Sequence, residues 1–265
     1  MGVDLVQYAA EKGIATITLD DPPVNGYTYE MNRQLDEAIL QARFDTDVHV
    51  IVLRGAGEKF FCAGANIKML ASVDPTFKYY FCLHANEMLL RLEHTPKLTI
   101  AALNGHTVGG GLEIAMACDM RLARKDGGIT GLPEVNLGVL PGTGGTQRLT
   151  RLVGKSKAIE LMVEGRNFDF DEALQMGIVN KVIPSENVDD FMTKVYEYAG
   201  EFVPPKKASM AVGHIKRAVQ TGCDLPLEQA LAMERELQAK LFSSDDAKIG
   251  LGAYVAKTEP EFTGR

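Results

Sequence analysis

Two short apolar runs constrain this chain more than any other feature. "VHVIVLRG" at 48–55 and "LTIAALNG" at 98–105 are nearly free of polar side chains, and each ends on glycine. A strand with one wet face alternates apolar and polar residues. A strand covered on both faces does not, and such strands belong to the parallel sheets of α/β proteins. A helical pattern precedes each run. One begins near Tyr29 and puts Met31, Leu35, Ala38 and Ile39 on a single face. The other fits residues 75–94, opened by Asp74-Pro75 and closed before Pro96. Strand and helix in alternation imply right-handed crossovers and a largely parallel sheet.

The same pattern extends outward. "LVQYAAEKGIATITLDDPP" reads as two strands around "EKG", the second setting Ala15, Ile17 and Leu19 against Ile14, Thr16 and Thr18. "MRLARKDG" and "GIVNKVIP" are further strand candidates. From about residue 191 the pattern is helical to the end. The reading is therefore a strand-and-helix core over 1–190 and a helical section over 191–265. With 265 residues and 46% hydrophobic content there is ample material for one large core.

The net charge of −7 argues against a nucleic-acid backbone as the main partner. No apolar run approaches the roughly 20 residues needed to cross a bilayer, so no membrane association is expected. The opening "MGVDLVQYAAEKG" has no basic stretch followed by an apolar core, so no leader is expected there. Cys62, Cys82, Cys118 and Cys223 are far apart, without CxxC spacing or histidines at metal-ligand distance. They read as reduced thiols of a cytoplasmic protein, and no metal site is expected.

Three glycine-containing stretches follow apolar strands: "GEKFFCAGANIKML" (57–70), "GHTVGGGLEIAMACD" (105–119) and "GLPEVNLGVLPGTGGTQRL" (131–149). Open parallel sheets bind ligands at the carboxyl ends of their strands, which is where these stretches begin. None is a nucleotide fingerprint: none of the three contains GK followed by Ser or Thr, and 105–110 reads G-x-x-x-G-G. Glu113 falls in the first turn of a helix starting near Gly110, and Glu134 follows Pro133. Each alone is ordinary, as a helix-start acid or a turn carboxylate. Together they make a candidate acid/base pair, and the amides of the glycine-rich helix start make a candidate oxyanion site.

These motifs, with "RLVGKSKAIELM" and the terminal "FTGR", resemble the crotonase (enoyl-CoA hydratase/isomerase) superfamily over essentially the whole chain. The resemblance implies an α/β crotonase (ClpP/crotonase-like) fold: repeated ββα units forming two roughly perpendicular sheets, with a helical C-terminal section for oligomerisation and closure of the CoA site. It implies that the amides of Ala65 and Gly110 form the oxyanion hole. Glu113 then mainly activates water and Glu134 mainly delivers a proton to C2. Ala63, Asn66, Ile67 and Lys68 match the segment that wraps CoA, and Lys257 and Phe262 resemble residues that close the CoA site, sometimes from a neighbouring subunit.

The implied reaction is reversible hydration of a 2-enoyl-CoA to a 3-hydroxyacyl-CoA, in a homotrimer or dimer of trimers. CoA enters with the substrate and no other cofactor is implied. A double-bond isomerase is the nearest alternative, although isomerases of the superfamily often keep one acid of the pair. A non-catalytic RNA- or CoA-ester-binding homologue is a more distant one. Three departures bear on the acyl pocket or its surroundings. Asn66 stands where Asp is frequent, Gly26-Tyr27 where Ala-Leu is common, and Thr130-Gly131 where Phe-Gly is frequent. Tyr27 is expected near the ligand entrance. His106 is expected to be packed or solvent-facing rather than catalytic.

Overall fold

A computed structural model describes residues 3–265. The two apolar runs become β3 (Val50–Gly55) and β5 (Leu98–Leu103) at the centre of a six-stranded sheet, with β1 (Val6–Glu11), β2 (Ile14–Leu19), β7 (Met120–Arg124) and β10 (Lys181–Ile183). The order is β1-β2-β3-β5-β7-β10. Only β1 and β2 are antiparallel; every other neighbouring pair in this sheet is parallel.

The lack of alternation in the central strands has the expected cause. Ile51, Leu53, Ala101 and Leu103 point into one core, with α1 (Tyr29–Phe44) and α3 (Pro75–Glu93). Val50, Val52, Leu98, Ile100 and Ala102 point into another, closed by α8 (Val188–Gly200) through Phe191, Met192 and Val195. Each fully buried Val, Leu or Ile side chain there is worth about 1.5–3 kcal/mol, more than the roughly 1 kcal/mol span of intrinsic strand preference. The expected helices form where they were read. α1 is capped by Thr28, and α3 by Asp74, whose side chain accepts from Phe77 N at 2.9 Å.

A second, four-stranded sheet is built from β4 (Phe60–Cys62), β6 (His106–Val108), β8 (Ile129–Gly131) and β9 (Phe168–Asp169), in the order β4-β6-β8-β9. Its strands are two or three residues long, too short to show a period, so the pattern along the chain predicts only the first sheet. The glycines that end the two apolar runs serve this second sheet. A Cβ on Gly55 would fall on the Phe60 and Phe61 backbone, and one on Gly105 on Lys59. Glycine is the residue that lets β3 and β5 hand the chain so closely to β4 and β6.

Downstream lie α5 (Gly145–Val153), α6 (Lys155–Glu164), α7 (Phe170–Gln175), α9 (Ser209–Gly222), α10 (Leu227–Phe242) and α11 (Asp245–Ala256). The division expected at residue 190 falls inside α8. α8 packs on the sheet, and α9 reaches it too, through Val212 and through Lys216, whose Nζ lies 3.4 Å from Thr99 Oγ1. The terminal "FTGR" folds back onto α11: Asp246 accepts from Thr263 N at 2.7 Å and Gly264 N at 2.9 Å. The four cysteines are free thiols. Among the described residues no helix is long and apolar enough to cross a membrane, and no group of three or more metal-ligating side chains occurs.

Candidate active site

Where β4 and β6 end, two turns bring backbone amides together. After β4 the chain passes Gly64, at φ +91°, and pairs with the segment before α1 through a bridge between Tyr27 and Ala65. In that bridge Tyr27 N–H donates to Gly64 O and Asn66 N–H donates to Tyr27 O. The Ala65 N–H between them has no acceptor among the described residues. After β6, Gly109 takes φ +58° and ψ −130°, a conformation open essentially to glycine alone, and leads into α4 (Gly110–Met116). Gly110 is the first residue of α4, so its N–H has no carbonyl within the helix to bond. The two turns touch: a Cβ on Gly64 would lie 3.0 Å from Gly110 N.

Two carboxylates face the same space. Glu113, in the first turn of α4, is 1% exposed. Its Oε1 accepts from Thr143 N at 2.8 Å and Gly145 N at 2.6 Å. Gly145 begins α5, so a helix N-terminus and the turn before it hold this carboxylate. Glu134 starts a one-turn 3₁₀ helix, Glu134–Leu137, not an irregular turn, and its buried Oε2 has no hydrogen-bond partner. Glu134 Oε1 reaches back to the glycine turn, 2.9 Å from where a Gly109 Cβ would be. Glu113, Glu134, Ala65 and Gly110 all line one cavity of about 250 Å³.

The two acids are placed differently toward protons. Burial raises Glu113, but the amides of Gly145 and Thr143, the Thr143 hydroxyl and the Arg148 charge all pull it back. Glu134 is pushed up to about 7, first by burial and then by repulsion from Glu113, with Lys78 lowering it. The acids titrate as a pair, and they differ in their donors. Glu113 Oε1 has two amide donors, and Glu134 Oε2 has none.

A stability signature follows. A carboxyl raised from 4.5 to about 7 binds its proton more tightly folded than unfolded. Its contribution is therefore full below about pH 4.5 and is lost as pH rises to 7. Glu134→Gln is expected to melt higher than the parent at pH 8 and to differ little at pH 4.5, measured by thermal denaturation at both.

Behind the site, Arg148 of α5 donates through Nη1 to Thr143 O at 3.0 Å and forms a two-point pair with Glu93 (2.8 and 2.6 Å). The side chains are only 13% and 10% exposed. Breaking such a pair strands a buried charge and costs about 3–5 kcal/mol. Arg148→Met is expected to lose stability on that scale in urea denaturation, and Glu93→Leu/Arg148→Met together to lose less.

The remaining sequence-derived residues divide. Ala63 and Ile67 line the cavity beside Ala65. Asn66 uses its Oδ1 to cap α2 (Ile67–Ser72), accepting from Met69 N at 3.1 Å, a task Asp performs equally well. Lys68 is exposed on α2 and does not line the cavity. Lys257 and Phe262 lie elsewhere in the chain. Lys257 ends α11, and the Phe262 ring packs over Gly250 at a separate cavity of about 330 Å³.

His106 accepts from Ile129 N at 3.1 Å and packs on Phe60, away from the carboxylates. Tyr27 departs from its expected position near the entrance. It is 3% exposed, stacked on Phe81, with its hydroxyl 2.9 Å from Thr143 Oγ1. Sequence reasoning missed three members of the site: Thr143, the Gly145 amide and Lys78. The first two sit in the glycine-rich "PGTGGT", whose helix-start chemistry was a visible signal; Lys78 carried none.

A family model described as enoyl-CoA hydratase/isomerase matches residues 9–265. A short-chain-enoyl-CoA hydratase from Clostridium acetobutylicum is 38% identical, covering 95% of this chain and 94% of its own. A probable enoyl-CoA hydratase from Bacillus subtilis is 34% identical over 99% of this chain and all of its own. The solved enoyl-CoA hydratase structure from Bacillus anthracis superimposes with a TM-score of 0.90 at 31% identity, covering 98% of this chain and all of that one. With its glycine turns, paired acids and full-length matches, the chain belongs to the enoyl-CoA hydratase/isomerase family and has the crotonase fold.

Proposed function

We propose that this protein hydrates a 2-enoyl-CoA reversibly to the 3-hydroxyacyl-CoA, with Glu113 and Glu134 as its acid/base pair and the Ala65 and Gly110 amides as its oxyanion hole. The observation that carries the reading is that two unsatisfied amides, the buried Glu113 and the half-buried Glu134 line one cavity. The thioester carbonyl accepts from both amides, which draws electron density from C3. Glu113 takes a proton from water as its oxygen bonds to C3, and the C2=C3 π electrons move toward the carbonyl as an enolate. Glu134 gives its proton to C2, and the carbonyl re-forms. Glu113 then holds the proton Glu134 has lost, and exchange with solvent resets the pair.

In this reading CoA is part of the substrate and no separate cofactor takes part. A homotrimer or dimer of trimers fits the apolar side chains left exposed on the C-terminal helices, among them Ile215, Val219, Phe242 and Val255. Such an assembly would also allow Lys257 and Phe262 to serve a neighbouring site. Free thiols fit a cytoplasmic setting. The test is turnover of a panel of enoyl-CoA thioesters in H₂¹⁸O, read by mass and by loss of the conjugated-thioester absorbance. One heavy oxygen in the product supports hydration. Double-bond migration without oxygen uptake means isomerisation, and absence of turnover overturns both.

A further inference from the structure

Tyr27 lines this cavity and meets the oxyanion turns and the Thr143 turn within it. Its backbone frames Ala65 on both sides. Its ring lies where a Gly110 Cβ would be. Its hydroxyl is buried 2.9 Å from Thr143 Oγ1, and Thr143 is the residue whose N–H holds Glu113 at 2.8 Å. A phenol packed this deeply, stacked on Phe81, needs a reason to carry a polar tip, since Phe would fill the same volume.

We propose that Tyr27 is a positioning residue for Glu113: its hydroxyl bonds the Thr143 hydroxyl and so fixes the residue whose N–H holds the Glu113 carboxylate. A threonine hydroxyl has one proton and two acceptor sites. A buried phenol bonded to it anchors the turn that carries the Thr143 N–H, and linked hydrogen bonds of this kind strengthen one another. The phenol keeps its proton throughout, because burial and the Glu113 charge raise it well above its ordinary value. The Thr143 side chain correspondingly lowers Glu113. The other groups acting on this cluster are Glu134, Lys78 and Cys82 of α3, Cys62 of β4 and Arg148 of α5. All of them remain in the variants below.

The inference rests on Glu113 being the base, and the experiment separates the two. The pH dependence of kcat for hydration is measured for the parent and for Tyr27→Phe, Thr143→Ala, Thr143→Ser, the Tyr27→Phe/Thr143→Ala double variant and Glu113→Gln. Loss of the hydrogen-bond chain is expected to move the acidic limb upward by about half to one pH unit in Tyr27→Phe and Thr143→Ala, with KM changed less than about twofold. Thr143→Ser keeps the hydroxyl and is expected to behave as the parent. The double variant is expected to match Thr143→Ala alone, because Tyr27 acts only through that hydroxyl.

A Tyr27→Phe profile that overlays the parent, or shifts that add in the double variant, overturns the inference while an inactive Glu113→Gln leaves the catalytic reading intact. A fully active Glu113→Gln overturns that reading itself. Should Tyr27→Phe fail to fold, the Thr143→Ser and Thr143→Ala comparison carries the test alone.

Discussion

Glu113→Gln is expected to lower kcat for hydration by about two to four orders of magnitude while leaving the fold in place. The glutamine carbonyl can accept from Thr143 N and Gly145 N as the carboxylate Oε1 does, so the loop before α5 keeps its anchor. What disappears is the capacity to take a proton from water. Since burial works against the ionised acid, the variant is expected to melt at or slightly above the parent temperature. Initial rates, ¹⁸O incorporation and a melting curve on the same preparation check this. A folded variant that hydrates at the parent rate would remove Glu113 from the mechanism. Glu134→Gln is expected to be comparably slow, and the double variant to lose far less than the product of the two, because neither acid completes a turnover alone.

Gly110→Ala is expected to lower kcat by about 10² to 10³, the equivalent of losing one oxyanion donor at about 2.7–4 kcal/mol. The added methyl falls on the Tyr27 hydroxyl and ring, and that ring is backed by Phe81 with centroids 5.7 Å apart. The ring has little room to retreat, so the start of α4 moves instead and carries the amide away from the carbonyl it would meet. Gly252→Ala, a helix position with nothing within 4 Å of the new Cβ, is expected to leave kcat unchanged. Parallel kinetics and melting curves distinguish a displaced amide from general destabilisation. An unchanged kcat in a folded Gly110→Ala protein would overturn this placement of the oxyanion hole.

Much of the molecule could be read along the chain. The runs at 48–55 and 98–105 declared strands covered on both faces, because double burial removes alternation whatever lies above and below. Asp74 announced the start of α3, since a cap acts within three residues of itself. Glu113, Glu134, Ala65 and Gly110 were legible through spaced motifs, and the fold brings all four to one cavity.

The tertiary structure decided what depends on partners distant in sequence. The strands of the second sheet are two or three residues long and exist because they pair with one another. Glu113 is held by amides 30 and 32 positions away, and the proton affinity of Glu134 follows from its burial and from Glu113 beside it. Tyr27 was read at the entrance and lies in the interior, because its environment is set by Phe81 and Thr143 rather than by its neighbours along the chain. Local patterns record which face of an element is buried. They do not record which other element buries it, and proton affinity, donor geometry and cavity shape are all properties of that second element.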